Sequence, residues 1–430
     1  MTAVSAFCGI VILMIAASWL RKGADPLSPG RVFGIIWALS IGLADLKLSV
    51  FQHEWTFYGW SIILLGVGTF LVGVFIPHVY FLSTPLLSIS EVRTRLQDAA
   101  RRTVDPDRLY WTILVLFGAY LLAYLAEVAL EGAVPLFAPN PERLRVRFGF
   151  FGLHLVVTSM LTILIFVVEY MLFMPRDRAK RAVVMGVFIV TSATFLLLLQ
   201  RYSFAFWGLL ALGLTYYGSQ KIRLRTVLIA GAIMGAIFVA IQNVRTALYV
   251  EQYLYAISKM KFSREYAVFT EPYMYFVMNL ENVARSVERL DHFYYGYFTF
   301  DWIVALTGLK HWIGEYFAID RLPFMNSAYN TYAFQWWAYY DFGSVGVALI
   351  ALALGLMVGF SYHALRTRPN VWTAYLYAIG LTFMVTSFRE NMFTRLDAVW
   401  NLALMWFVHR FIVGREPDSP AVEAQRQRSA

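Results

Sequence analysis

Apolar runs of roughly 20 residues recur along the whole chain, near 2–20, 31–50, 57–76, 109–130, 152–174, 183–199, 203–219, 227–244, 341–362, 372–388 and 396–413. A helix needs about 20 mostly apolar residues to cross a bilayer, so the pattern predicts eleven transmembrane helices. Between the eighth and ninth runs lies one long stretch, 245–340, which is too long for a simple connection. Its runs 266–280 and 293–309 read as interfacial or re-entrant helices. The expected fold is therefore an all-α polytopic membrane protein, with a single transmembrane domain over 1–413. A disordered tail is expected at 414–430, where Pro417, Pro420 and polar residues end the apolar pattern. The run at 2–20 has no basic leader and no small-residue cleavage pattern, so it is expected to be a retained span. No fixed-period repeat and no inverted pair of broken spans points to a transporter.

Composition agrees and excludes alternatives. Of the 430 residues, 59% are hydrophobic and 15% charged, with a mean hydropathy of +0.59. Soluble domains carry roughly a quarter charged residues, so a soluble enzyme, a disordered chain and a secreted disulfide scaffold are all excluded. The single cysteine, Cys8, rules out an intramolecular disulfide and a thiolate metal cluster. A net charge of +9 would suit nucleic acid, but topology explains it better. Of the 36 Lys and Arg, 21 sit in alternate loops: Arg21 to Arg31, Arg93 to Arg108, Arg176 to Arg181, Lys221 to Arg225, Arg366 with Arg368, and the tail from Arg410. The positive-inside rule places those loops in the cytoplasm. The N-terminus, the 131–151 loop and the 245–340 segment then face out, and no nucleic acid partner is expected.

Several arginines lie on the other side. Arg143, Arg145 and Arg147 crowd one external loop, Arg201 caps a hairpin, Arg245 ends a span, and Arg389 and Arg395 flank the last external turn. Each either pairs with Glu131, Glu142, Glu390 or helix carbonyls, or meets an anionic ligand, for which the guanidinium fork is suited. Coming from separate loops, Arg143, Arg147, Arg201, Arg245 and Arg389 together suggest a phosphate or diphosphate site. Proton-accepting candidates are Asp341 and Glu390, with His292 and His311 behind them. Asp341 could equally cap a helix or orient an arginine, and Glu390 could orient Arg389. Glu127 and Glu131 share one helix face with no role assigned. Aromatics make up 27 of the 96 residues in 245–340, an interfacial belt and local core on one reading and a sugar-stacking platform on the other. Tyr332, Trp336 and Tyr340 are the candidates for glycan contact. No nucleotide loop, zinc-binding His pair, Ser triad or external Asp-x-Asp is present, so neither metal nor cofactor is expected.

Short motifs then add a resemblance. Gly132-Ala133-Val134-Pro135-Leu136-Phe137 followed by Arg143–Arg147 resembles the Gly-x-Pro-Leu-Phe loop of bacterial oligosaccharide repeat unit polymerases, the Wzy-type O-antigen polymerases. Gln200-Arg201-Tyr202-Ser203 stands where these have a Gly-Ser-Arg-like hairpin, without its glycine. Asn330-Thr331-Tyr332-Ala333-Phe334 and Tyr340-Asp341-Phe342-Gly343-Ser344-Val345-Gly346 are similar to their Asn-x-Tyr-Thr-Phe and Asp-Phe-Gly-x-x-Gly pieces. Ser387–Asn391 holds a comparable place before the last span. Tyr329 stands where the related O-antigen ligases have a histidine before the asparagine, which favours polymerase over ligase. The resemblance implies a bacterial inner (cytoplasmic) membrane with the outer side facing the periplasm, and an undecaprenyl-diphosphate-dependent glycosyltransferase at that periplasmic face. It would move the growing glycan from one lipid carrier onto the next lipid-linked repeat unit. Its implied partners are undecaprenyl-diphosphate-linked oligosaccharides, membrane lipid, a chain-length regulator and a flippase. The rival expectations are a ligase-like transferase and a lipid-linked oligosaccharide flippase or transporter.

Overall fold

The structure, a computed structural model, describes residues 2–21, 23–150, 152–220, 250–313 and 329–414, with scattered positions between 222 and 236. Every regular element among them is helical. In chain order these are α1 (Ala3–Ser18), α2 (Pro29–Asp45), α3 (Phe57–Tyr80), α4 (Ile89–Thr103) and α5 (Pro106–Glu131). The arginine-rich loop forms α6 (Pro141–Arg147), followed by α7 (Leu153–Thr158), α8 (Met160–Phe173), α9 (Arg178–Leu196) and α10 (Arg201–Gly218). Then come α11 (Val250–Ser258), α12 (Thr270–Val287), α13 (Trp336–Thr367), α14 (Val371–Thr386) and α15 (Leu396–Ile412).

Ten of the eleven expected spans coincide with helices, and the run 227–244 falls largely outside the described residues. Among the described residues, Phe57–Tyr80, Pro106–Phe137, Leu153–Phe173, Arg178–Leu196 and Trp336–Thr367 are long and apolar enough to cross a membrane. Ala3–Ser18 and Val371–Thr386 are apolar but shorter. Two elements differ from expectation. The basic stretch 93–108 was expected as a loop, yet most of it is α4. Val92, Leu96 and Ala100 recur every fourth residue and are buried, while Arg95, Arg101 and Arg102 stay exposed. Charge marked that stretch as a loop, whereas its apolar period of four makes it an amphipathic helix. Most of the run 266–280, expected as an interfacial or re-entrant helix, falls in α12, which is buried around most of its circumference. Asn279, Glu281 and Asn282 are buried with it, so its polar residues serve packed contacts.

The chain divides into two compact units. The first takes Met1–Ile89, Leu224–Thr367 and Leu376–Val399, and the second takes Ser90–Arg223, Arg368–Tyr375 and Trp400–Ala430. In the first, α3 lies against α13, and the crossing is set by glycine. A Cβ on Gly73 would sit 2.4 Å from the Leu352 carbonyl, and one on Gly355 would sit 2.2 Å from the Phe70 carbonyl. Without side chains the two backbones come into direct contact, which is how helices gain dispersion energy where lipid removes the hydrophobic drive. Phe33 stacks on Phe70 at 4.0 Å beside this crossing, and Phe334 meets both edge-on. At one end Arg366 is buried against Asp25 at 3.3 Å and donates to the Leu87 carbonyl. At the other, Ser387 accepts the Trp37 indole N–H at 2.9 Å, and its carbonyl accepts the Phe334 N–H at 2.8 Å.

In the second unit α8 is the centre, packed against α5, α9 and α10 and buried at eleven of its fourteen positions. Thr162 donates to Asn401 at 2.7 Å and Trp400 donates to Ser159 at 2.9 Å, fastening α15 to α8. Buried Tyr375 donates to Glu169.

The glycine crossing gives a direct test. Gly355→Leu forces a side chain into the Phe70 backbone and should cost more than the ~1–3 kcal/mol typical of overpacking. Purified protein should lose its monodisperse elution and unfold at lower temperature, while Gly68→Ala, in open space on the same α3, should match the parent.

Candidate active site

In the first unit the aromatic candidates lie where α13 begins. Tyr332, Trp336 and Tyr340 are four residues apart, so a helical start turns all three to one side. Tyr332 stacks on Trp336 at 3.8 Å, Trp336 on Tyr340 at 4.1 Å, and Tyr340 on Tyr294 at 4.8 Å. The Trp336 indole donates to Ser286. Exposures of 3%, 0% and 5% leave no ring face for a sugar. The stacking surface expected of these three is spent on one another, and the rings with open faces nearby are Phe293, Tyr295 and Phe300.

Asp341 follows directly, and the helix breaks two residues later at Gly343, with φ 64° and ψ −153°. Glycine alone adopts this conformation cheaply, and a Cβ there would meet the Phe293 ring at 2.9 Å. The Asp341 carboxylate is fully buried and accepts backbone N–H groups from Phe298 at 3.3 Å and Thr299 at 2.6 Å. Its carbonyl accepts the Tyr295 N–H, and the Tyr340 carbonyl accepts that of Tyr294. Asp341 therefore caps, but it caps the 294–299 turn instead of its own helix.

Glu390 lies between two guanidiniums, 3.7 Å from Arg389 and 3.1 Å from Arg395, and Arg395 also grips Asp397 with two hydrogen bonds of 3.0 and 2.8 Å. Arg389 lies over the Tyr275 ring at 5.8 Å, and Phe388 stacks on Phe276. The turn thus holds two cations and two anions in mutual contact, with α12 beneath it.

The second unit assembles a different cluster from residues far apart in sequence. Gly132, at φ 74°, ends α5, and Leu136 donates to the Leu197 carbonyl, pinning the loop to the end of α9. Asn140 caps α6 by accepting the Arg143 N–H. Arg143 and Arg147, one turn apart, are both exposed, and no ion pair to either is present among the described side chains. The loop returns at Gly149 and Phe150, whose N–H groups are accepted by Glu131 at 3.4 Å and Glu127 at 3.3 Å.

Glu127 is fully buried, and His154 Nδ1 stands 3.0 Å from its carboxylate. Nε2 of the same ring is 3.1 Å from the Gln200 side-chain nitrogen. With the amide placed this way, Gln200 donates to Nε2 and Nδ1–H donates to Glu127. The ring is thus oriented by a carboxylate, with Nε2 at the hairpin that carries Arg201. Gly149 is required here, since a Cβ would sit 2.7 Å from the His154 ring.

The structure thus brings the Arg143–Arg147 loop and the Gln200–Arg201 hairpin together through His154. Arg201 begins α10, and its side chain, like that of His311, lies outside what is described. Arg245 lies outside the described residues. Asp341, Glu390 and Arg389 belong to the first unit, and no contact joins Asp341 to the other two among the described side chains. His292 is exposed and bonded to Asp291 at 2.7 Å, a contact that holds the Asp291 carboxyl below its usual range. His154 was missed by sequence reasoning because it lies inside an apolar run. The one available signal was Glu127, a carboxylate inside another span.

The sequence profile of the O-antigen polymerases matches residues 30–388 of the 430. The chain belongs to the O-antigen polymerase family. Its members are glycosyltransferase-type enzymes of polysaccharide and lipopolysaccharide biosynthesis, in keeping with a membrane-embedded chain. No curated protein and no solved structure matches the chain significantly. The matched span covers the Gly132–Phe137 loop, the Gln200 hairpin and the 330–346 motif of this polymerase, and stops just before Arg389 and Glu390.

Removing the Asp341 side chain leaves two buried N–H groups without an acceptor, each worth about 1–3 kcal/mol. Asp341→Ala should therefore lower the thermal unfolding midpoint markedly, and Asp341→Asn, which keeps one acceptor oxygen, should lower it less. An unchanged midpoint with abolished polymerisation would instead assign Asp341 to the chemistry.

Proposed function

We propose that this polymerase transfers a growing glycan from undecaprenyl diphosphate to a hydroxyl of the next lipid-linked repeat unit, at the periplasmic face of the bacterial inner membrane. The observation that carries the proposal is the Glu127–His154–Gln200 chain at the root of the loop bearing Arg143 and Arg147. Bond making and breaking balance as follows. The acceptor hydroxyl oxygen bonds to the anomeric carbon, the carbon–oxygen bond to the diphosphate breaks, and the hydroxyl proton goes to His154 Nε2. Glu127 stabilises the imidazolium as it forms, while Gln200 holds the nitrogen until the acceptor replaces it. Charge develops on the departing diphosphate, where Arg143, Arg147 and Arg201 meet it without a metal ion. Arg389 serves as a balanced, orienting cation with Glu390. A flippase would supply the repeat units and a chain-length regulator would limit the product.

Purified protein in vesicles with lipid-linked repeat units should yield a glycan ladder; movement of substrate without new linkages would make the chain a flippase. In that assay Arg147→Ala should lose about 10- to 150-fold, corresponding to 1.5–3 kcal/mol for one charge-assisted contact. Arg147→Lys should recover only part, since an ammonium lacks the fork. Arg389→Ala should lose less than Arg147→Ala, because its charge is already balanced, and equal losses would return Arg389 to the diphosphate site.

Orientation is tested separately. In a Cys8→Ala background, a cysteine at Ala138 should react with an impermeant reagent added to spheroplasts and one at Ala179 should not. Reaction of both would overturn the topology.

A further inference from the structure

The second unit has another feature at its opposite end, where the basic loops gather. A cavity of about 730 Å³ opens between α4, the α8–α9 turn and the loop after α10. Three guanidiniums line it, those of Arg101, Arg176 and Arg181, and no carboxylate does. The neighbouring acids are engaged elsewhere: Asp107 pairs with Lys180, Asp105 accepts from the N–H groups of Asp107 and Arg108, and Asp177 caps α9. Among the described residues no ion pair reaches the three arginines. Concentrating unpaired cations in one concavity costs free energy that an anion would recover.

The walls are fixed in advance. Arg181 donates through Nη2 to the Met171 and Met174 carbonyls at the end of α8, and its Nε is buried with no acceptor among the described residues. Gln97 donates to the Gly218 carbonyl at 2.8 Å, and Arg93 donates to those of Tyr216 and Ile222, both at 2.9 Å. These bonds strap the loop after α10 to amphipathic α4. Directly beside the arginines the lining turns apolar, with Leu172, Phe173 and Met174. Three segments long and apolar enough to cross a membrane begin or end here, namely Pro106–Phe137, Leu153–Phe173 and Arg178–Leu196. The cavity therefore lies where headgroup meets acyl chain.

We propose that this cavity binds the phosphate of an anionic glycerophospholipid from the leaflet on the basic-loop side, the guanidiniums taking the phosphodiester and the apolar wall taking the first part of the acyl chains. Basic pockets between transmembrane helices recognise lipid headgroups through this pairing. A free phosphate shares the charge but makes no use of the apolar wall, so the lipid is the better fit. The bound lipid would bridge α4, the α8–α9 turn and the loop after α10. This site is independent of the transferase proposal, and either can fail without the other.

The test uses full-length protein, delipidated in neutral detergent, with phosphatidylglycerol, phosphatidylcholine or inorganic phosphate added. Native mass spectrometry and thermal unfolding are the readouts. Phosphatidylglycerol should be retained and raise the unfolding temperature, whereas phosphatidylcholine should do neither. Arg101→Gln with Arg176→Gln, both exposed and outside the packing core, should weaken retention at least tenfold. Arg95→Gln with Arg102→Gln removes equal charge from α4 without touching the cavity lining and should leave retention unchanged. Equal weakening by the second pair would reduce the effect to a diffuse basic surface and overturn the site. So would an absence of preference between the two lipids. Displacement of phosphatidylglycerol by millimolar inorganic phosphate, with the same thermal shift, would overturn the lipid assignment in favour of a soluble phosphoanion.

Discussion

Lipid offers no hydrogen-bond partner to a backbone N–H or carbonyl, so a helix in a membrane is broken only where protein supplies the missing bonds. The break at Gly343 meets that constraint. Helix α13 stops and restarts there, and the 294–299 turn is laid against the break by four backbone N–H groups that reach the carbonyls of Tyr340 and Asp341 and the Asp341 carboxylate. The stacked column of Tyr294, Tyr340, Trp336 and Tyr332 then fills the side of that turn. Just beyond the break, the straight part of α13 can press on α3 through Gly355 and Gly73. Polar satisfaction, aromatic packing and close helix contact in the first unit all depend on this one break.

The arginines divide by what they hold. Arg366, Arg181 and Arg93 donate to carbonyls at the ends of helices or of the segments that follow them, where cations are favoured by the helix dipole and the last turn lacks partners. Arg395 and Arg389 close a balanced network with Glu390 and Asp397. Arg143 and Arg147 do neither: α6 carries them outward on a loop whose own carboxylates, Glu127 and Glu131, are turned to backbone N–H groups and a histidine. A positive-inside count weighs all these residues alike, although their surroundings differ.

Span positions were legible because a hydrophobic run of fixed length leaves little choice but a helix. The 330–346 motif was legible for a similar local reason, within the span that the family profile matches. The amphipathic α4 was hidden because its many arginines dominate composition while only Val92, Leu96 and Ala100 carry the period. Sequence gives the spacing of Tyr332, Trp336 and Tyr340, and not that the three rings stack on one another. The Glu127–His154–Gln200 chain was illegible, since it joins three elements separated by up to 73 positions and includes a histidine lodged in an apolar run. Pairing of that kind is a property of packing, which no local window contains.

The choice of proton acceptor follows from three requirements: an open lone pair, a route for the acceptor hydroxyl, and a partner that stabilises the protonated form. Asp341 is fully buried, and its oxygens are engaged by the N–H groups of Phe298 and Thr299, which hold it in the 294–299 turn. Glu390 has its charge shared between two guanidiniums, so protonating it would cost both contacts. His292 has Asp291 as partner, but that pair lies exposed, where water competes for both groups. Among the described residues, His154 combines a buried carboxylate beside Nδ1 with an Nε2 held only by an amide. Protonation of Nε2 gives up the Gln200 contact, as the proposed reaction requires when the acceptor hydroxyl takes its place, and strengthens the bond to Glu127. In that proposal the positive charge arises at the hairpin that leads into Arg201.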